Sequence, residues 1–249
     1  MSARAIAVLV AAVLASGCAE FYRWPDRMNT KSPIRKSEAV PEGMYAIQPG
    51  DTLYSIAFRH QLDYRELAVW NDIGPDYLIH VGEIIRLRPP DVSPPGPRAP
   101  NASTSIVTVP LSRPTPTPEP PALPDNYKWR WPTQGKVIKD FGQGEGPGGK
   151  GIDIGGQLGQ PVLAAAPGKV VYSGSALKGY GELIIIKHDD VHLSAYGYNR
   201  KRLVEEGTMV AAGQAIAELG VGPEQKPVLH FEVRKKGRPV DPADYLPAR

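Results

Sequence analysis

Few side chains in this sequence could hold a metal, move a proton or accept a covalent group. There are five histidines and one cysteine. His230 alternates with Glu232 and Arg234, while Leu229, Phe231 and Val233 occupy the other parity. A strand has a two-residue side-chain period, so His230 is expected to point away from the apolar core. It reads either as the floor of a groove or as a simple surface-strand histidine. His188 and His192 flank Asp189-Asp190 and are expected at the surface, near a hairpin end. His60 and His80 belong to an upstream segment. Cys18, being alone, can form neither an intrachain disulfide nor a multi-cysteine metal site. Its chemistry must come from its position.

That position follows Arg4, an uncharged apolar run from Ala5 to Ala15, and Ser16-Gly17. A basic start, a short apolar stretch and small residues before a cut site describe a secretory signal. The run is about half of what spans a bilayer. Leu14-Ala15-Ser16-Gly17-Cys18 resembles a bacterial lipobox, which implies a signal peptide over 1–17 and lipidation at Cys18. Several acyl chains on one residue make a stable anchor, because each buried methylene contributes about 0.8 kcal/mol. Ala19, where Asp would signal retention, implies export to the outer membrane.

Composition divides the remaining chain. Prolines (27) and glycines (26) exceed a fifth of the residues, so part of the chain is not packed core. Residues 18–42 read as a flexible tether. Residues 43–88 read as a small domain. Residues 89–127 are a linker, with 13 prolines between 89 and 124. That density suits neither helix nor central strand. It predicts a semi-rigid spacer of at most ~3.1 Å per residue that separates its neighbours mechanically. Residues 128–249 carry Gly-punctuated β runs. The net charge of +3 and the lack of a basic run with interleaved aromatics exclude nucleic acid as a partner.

In the small domain, Tyr45-Ala46-Ile47-Gln48 alternates as a strand. Thr52 is positioned as the N-cap of a helix that buries Leu53, Ile56 and Ala57. Asp63 and Glu66 open a second helix carrying Leu67, and Asn71 to Pro75 break it. Ile85 and Leu87 alternate on a closing strand. The order is strand-helix-helix-strand. The pattern Tyr45-x-Ile47-x-x-Gly50-Asp51-Thr52-Leu53-x-x-Ile56-Ala57, with Leu67, Asn71 and Gly82-x-x-Ile85, resembles the LysM module, a small α+β fold that binds glycans containing N-acetylglucosamine, including peptidoglycan. The resemblance implies a groove at Asp51, Thr52, Leu53, Gly74, Pro75 and Ile79. Each of these residues also has an ordinary role in turns or packing, Leu53 and Ile79 above all.

The last segment has strand-like runs at 169–173, 183–188, 193–198, 214–219 and 228–235, and no long amphipathic helix. It is expected to be all-β and largely antiparallel. Gly151-Ile152-Asp153-Ile154, Pro161-Val162-Leu163-Ala164-Ala165, Gly179-Tyr180-Gly181 and Leu229-His230-Phe231-Glu232 resemble the LytM, or lysostaphin-like, zinc endopeptidases. Active members hold zinc through H-x-G-x-D and the second histidine of H-x-H. The first histidine of that pair and the histidine of Y-x-H handle protons. By that resemblance Gly149 replaces a ligand, Tyr198 and Val228 replace both proton-handling histidines, and only Asp153 and His230 remain. Two ligands are too few for a catalytic zinc site, which keeps three. No catalytic residue, metal or cofactor is expected.

Lipobox, LysM module, proline-rich linker and metal-poor LytM domain together resemble the NlpD-type murein hydrolase activators. Gly179 to His188 and Leu193-Ser194-Ala195-Tyr196 are especially close to them. The resemblance implies an outer-membrane lipoprotein facing the periplasm, bound to peptidoglycan. It would activate a periplasmic N-acetylmuramoyl-L-alanine amidase for septal wall splitting and daughter-cell separation. The implied docking groove is Gly149, Asp153, Tyr196, Tyr198, Val228 and His230. The alternatives are a weak zinc endopeptidase and a purely structural envelope linker.

Overall fold

The computed structural model describes residues 40–90 and 127–248. The signal peptide, Cys18, most of the tether and nearly all of the proline-rich linker lie outside the described residues.

The first module is β1 (Met44–Ala46), α1 (Leu53–His60), α2 (Tyr64–Trp70) and β2 (Ile84–Arg86). The two strands pair antiparallel, with Tyr45 opposite Ile85. Local chemistry sets the helix ends. The Thr52 hydroxyl accepts from the Ser55 amide at 3.0 Å, and the Ser55 hydroxyl accepts from the Thr52 amide at 3.0 Å, a reciprocal cap. Gln61 closes α1 in the left-handed region, at φ 58°. Asp63 caps α2 through the Arg65 amide. Asn71 does more than end α2. Its amide side chain donates to Leu67 O and Arg86 O and accepts from Arg86 N, riveting the helix to β2. Leu53, Ile56, Leu67 and Ile85 form the module's core.

The second module is almost entirely β. Its strands are β3 (Val137–Lys139), β4 (Ile152–Gly155), β5 (Pro161–Leu163), β6 (Gly168–Gly174), β7 (Glu182–Lys187), β8 (His192–Arg202), β9 (Met209–Val210), β10 (Ala215–Leu219), β11 (Val228–Lys235) and β12 (Arg238–Val240). A short 3-10 turn, Gly146–Gly149, precedes β4. All pairings are antiparallel, in the order β3-β4-β11-β8-β7-β6-β9. β10 bridges β5 and β8, and β12 pairs with β11. Ile184 and Ile186 face the main core with Tyr196, Leu229 and Phe231. Leu183 and Ile185 face the other side, with Tyr172, Tyr180 and Leu193.

Phe58 of α1 completes that second cluster. Its ring packs edge-on against Tyr180 at 5.4 Å. The Thr52 hydroxyl donates to Val171 O at 3.3 Å. The described residues of both modules thus belong to one compact unit. The expectation of mechanically separated modules is corrected, because α1 supplies an apolar side chain that the sheet buries.

Candidate functional site

Register brings the surviving pair together. His230 on β11 lies opposite Asp153 on β4 and opposite Gly197 on β8. His230 Nδ1 is 2.7 Å from Asp153 Oδ1, and Nε2 is 3.1 Å from Glu232 Oε1. Neutral imidazole has one N–H, so two carboxylate acceptors are satisfied together only by the imidazolium. Burial works against that charge, but the hydrogen bonds to Asp153 and Glu232 outweigh it and hold the His230 pKa above its ordinary value. Burial likewise opposes ionisation of Glu232, yet the Arg234 guanidinium and His230 keep its carboxyl below the usual range.

The polar chain continues along β11. Glu232 Oε1 accepts from Tyr180 Oη at 2.8 Å, and Oε2 accepts from Arg234 Nε at 2.7 Å. Arg234 Nη1 donates to Phe58 O at 2.5 Å, and its guanidinium carbon lies 3.3 Å from the Phe58 ring centroid. His230, Glu232 and Arg234 are all fully buried. The alternation along β11 is as the sequence indicates. The inference of a simple surface-strand histidine is corrected: Tyr180 and the first module cover the polar face.

A metal does not fit this arrangement. A zinc-bound histidine presents a neutral nitrogen lone pair to the ion, whereas both His230 nitrogens face carboxylate oxygens. Gly149 offers no donor, and a Cβ there would come 2.6 Å from Gly144 O. Among the described residues no group of three or more His, Cys, Asp or Glu side chains could hold a metal.

Tyr198 reaches the site through a backbone irregularity. Tyr196 points into the main core, where its hydroxyl accepts from the Ala165 amide at 2.8 Å. An unbroken strand would send Tyr198 the same way. Instead β8 has one extra residue against β7 between the pairs Glu182–Asn199 and Ile184–Tyr196. Tyr198 sits in that bulge at φ 60° and turns onto the site face, its ring 5.6 Å from His230. Burial, Asp153 and Glu232 push its hydroxyl up to about 12. Tyr196 as a groove residue is therefore corrected, since its side chain is consumed by the core.

Beside this pair opens a cleft of about 440 Å³ lined by Asp153, Tyr198 and Val228 together with Ile138, Lys139, Gly222 and Lys226. Gly149 ends the 3-10 turn and does not line it. Lys139, Lys226 and Gly222 were not legible in advance, because β3 and the loop before β11 carry no motif. Glu232 and Arg234 did have a signal: with His230 they alternate with the apolar Leu229, Phe231 and Val233 along β11.

In the first module, Leu53 is 1% exposed and belongs to the core, which corrects its placement among groove residues. The Asp51 carboxylate is buried against Tyr45 Oη (2.6 Å), Gln48 N (2.9 Å) and Arg59 Nη2 (3.1 Å). Thr52 is occupied by its cap and by Val171. Gly74 and Pro75 are exposed, and Ile79 is half-buried. His188 is fully buried, with Nδ1 donating to Pro167 O at 2.7 Å and Nε2 2.7 Å from Ser194 Oγ. Its expected surface position is corrected: the hairpin end folds back under the Tyr127 and Trp129 rings.

The family model described as LysM domain matches residues 45–88, and that described as Peptidase family M23 matches residues 148–242. A Pseudomonas aeruginosa protein named lipoprotein NlpD/LppB homolog is 44% identical, covering 90% of this chain and 84% of its own length. The Escherichia coli K12 protein named murein hydrolase activator NlpD is 37% identical, covering 84% of this chain and 70% of its own. The solved catalytic domain of the antimicrobial peptidase lysostaphin from Staphylococcus simulans is 30% identical, with a TM-score of 0.39, over 45% of this chain and 89% of that domain.

Proposed function

The chain belongs to the NlpD family of murein hydrolase activator lipoproteins, and from that premise we propose that it binds peptidoglycan, cleaves nothing itself, and switches on a periplasmic N-acetylmuramoyl-L-alanine amidase. One observation carries this reading. The two surviving members of the metal set are closed on each other, His230 Nδ1 to Asp153 Oδ1 at 2.7 Å, beneath an open cleft. Such a site has lost the means to activate water and kept a concave surface. The cleft's rim carries Ile138, 59% exposed, beside Lys139 and Lys226. An apolar anchor with a charged rim suits a protein segment.

Activation by binding requires differential affinity: the cleft must hold the open amidase more tightly than the closed one. The first module would keep the protein on the wall. Lipidation at Cys18 would anchor it in the outer membrane, facing the periplasm. The proposed amidase contacts are Asp153, Tyr198, Val228 and the Ile138–Lys139 rim. The proposed glycan contacts are Gly74, Pro75 and Ile79, with the Gly50–Thr52 backbone.

The test is release of labelled fragments from purified peptidoglycan by this chain, by an N-acetylmuramoyl-L-alanine amidase, and by both. Release is expected only where amidase is present, and this chain should raise it at least tenfold. Release by this chain alone, or no stimulation, would overturn the reading.

A further inference from the structure

A second cleft, of about 530 Å³, lies at the seam between the two modules. Tyr45, Asp51 and Arg59 form its wall on the first module, and Lys150, Lys178 and Tyr180 line the other side. Nothing in the amidase-docking reading uses it.

Its charge is unbalanced. The Asp51 carboxylate is spent on Arg59 and Tyr45. The Lys150 and Lys178 side chains make no hydrogen bond or ion pair with any described residue. Arg59 and Asp51 neutralise each other, so two uncompensated cations, Lys150 and Lys178, face the space between the rings of Tyr45 and Tyr180. A cleft of that sign favours carboxylates, and its volume suits a few residues of extended peptide.

The site is built by docking. Arg234, through Phe58 O and the Phe58 ring, fixes α1 against the sheet. Gly237 lets the chain turn beneath Leu62, whose carbonyl a Cβ at 237 would meet at 1.9 Å. Without that docking neither wall has its partner.

We propose that the seam cleft binds the carboxylate-bearing peptide stem of the wall strand that the first module holds. This rests on the reading of that module as a peptidoglycan binder. Asp51 belongs both to the cleft wall and to the Gly50–Thr52 turn at which the glycan is proposed to bind. A peptide branching from a sugar held at that turn starts beside the cleft, and its free carboxylates meet Lys150 and Lys178. The site thus reads glycan and stem together, one on each module.

The experiment is calorimetric titration of the full chain with three soluble wall tetrasaccharides: one bearing its peptide stems, one without stems, and one with the stem carboxylates amidated. The stem-bearing glycan is expected to bind about tenfold more tightly than either other probe. The Lys150→Met/Lys178→Met double variant should lose that difference and bind the stemless glycan as the wild type does. Phe58→Ser, which separates the walls and leaves both lysines in place, should lose it too. Equal binding of the stem-bearing and amidated probes by the wild type would overturn the proposal. So would a stem-dependent gain that survives in either variant. Failure of all three probes to bind would instead bring down the glycan-binding reading, and this proposal with it.

Discussion

The guanidinium of Arg234 lies over the ring of Phe58, 3.3 Å from its centroid, and the same side chain donates to the Phe58 carbonyl. A fully buried charge in one module is thus completed by backbone and ring from the other. Phe58 belongs to the seam cluster and not to the first module's core. Phe58→Ser should therefore undock α1 while both modules stay folded, at a stability cost of about 3 kcal/mol. Small-angle scattering should show a larger radius of gyration. An unchanged scattering profile would contradict the seam.

Restoring the lost histidines should not restore a metal site. Gly149→His/Tyr198→His/Val228→His is expected to carry far less than one equivalent of zinc by elemental analysis. A Cβ at position 149 would come 2.6 Å from Gly144 O, and both His230 nitrogens are already engaged. Stoichiometric zinc in the triple variant would show that the cradle is intact.

Ile138→Glu separates docking from folding. The side chain is exposed, so stability should change by less than about 0.5 kcal/mol. Amidase stimulation should fall at least tenfold, because a carboxylate replaces the apolar rim. Full stimulation by this variant would move the partner surface elsewhere.

Acid should weaken the fold through His188. Burial holds its pKa down at about 4, against an ordinary value near 6.5. Between those two pH values the unfolded chain takes up a proton that the folded chain refuses, so stability drops as pH falls from 6.5 to 4. The loss is on the order of 3 kcal/mol. Asp189, held at about 2, acts only at lower pH. Urea midpoints at pH 7 and 4.5 should differ more for the wild type than for His188→Asn. Equal differences would assign the effect to other groups.

Much of this architecture was legible in the residues. Thr52 and Asp63 announced both helix starts, and the parity of Leu229, Phe231 and Val233 marked the buried face of β11. Short strands such as Val137–Lys139 and Met209–Val210 were not, because two or three residues cannot display a period. The bulge at Tyr198 has no local signature, so Tyr196 and Tyr198 looked equivalent although they face opposite sides of the sheet. The seam was hidden for a different reason: the alternation His230, Glu232, Arg234 reports polarity, and polarity alone does not distinguish solvent from a charged network closed by a helix 176 residues away.

Gly237 carries one more implication. Its φ of 76° and the Leu62 carbonyl in the place a Cβ would occupy make the turn before β12 a mould for the end of α1. Hybrids that join this β domain to a LysM module from another protein would present a different surface to that mould. Such chimeras should fold as loose beads on a string unless the donor module also brings an aromatic residue and an unhindered carbonyl at the places of Phe58 and Leu62. The two modules are interchangeable parts in outline only; in this chain each has been cut to the other.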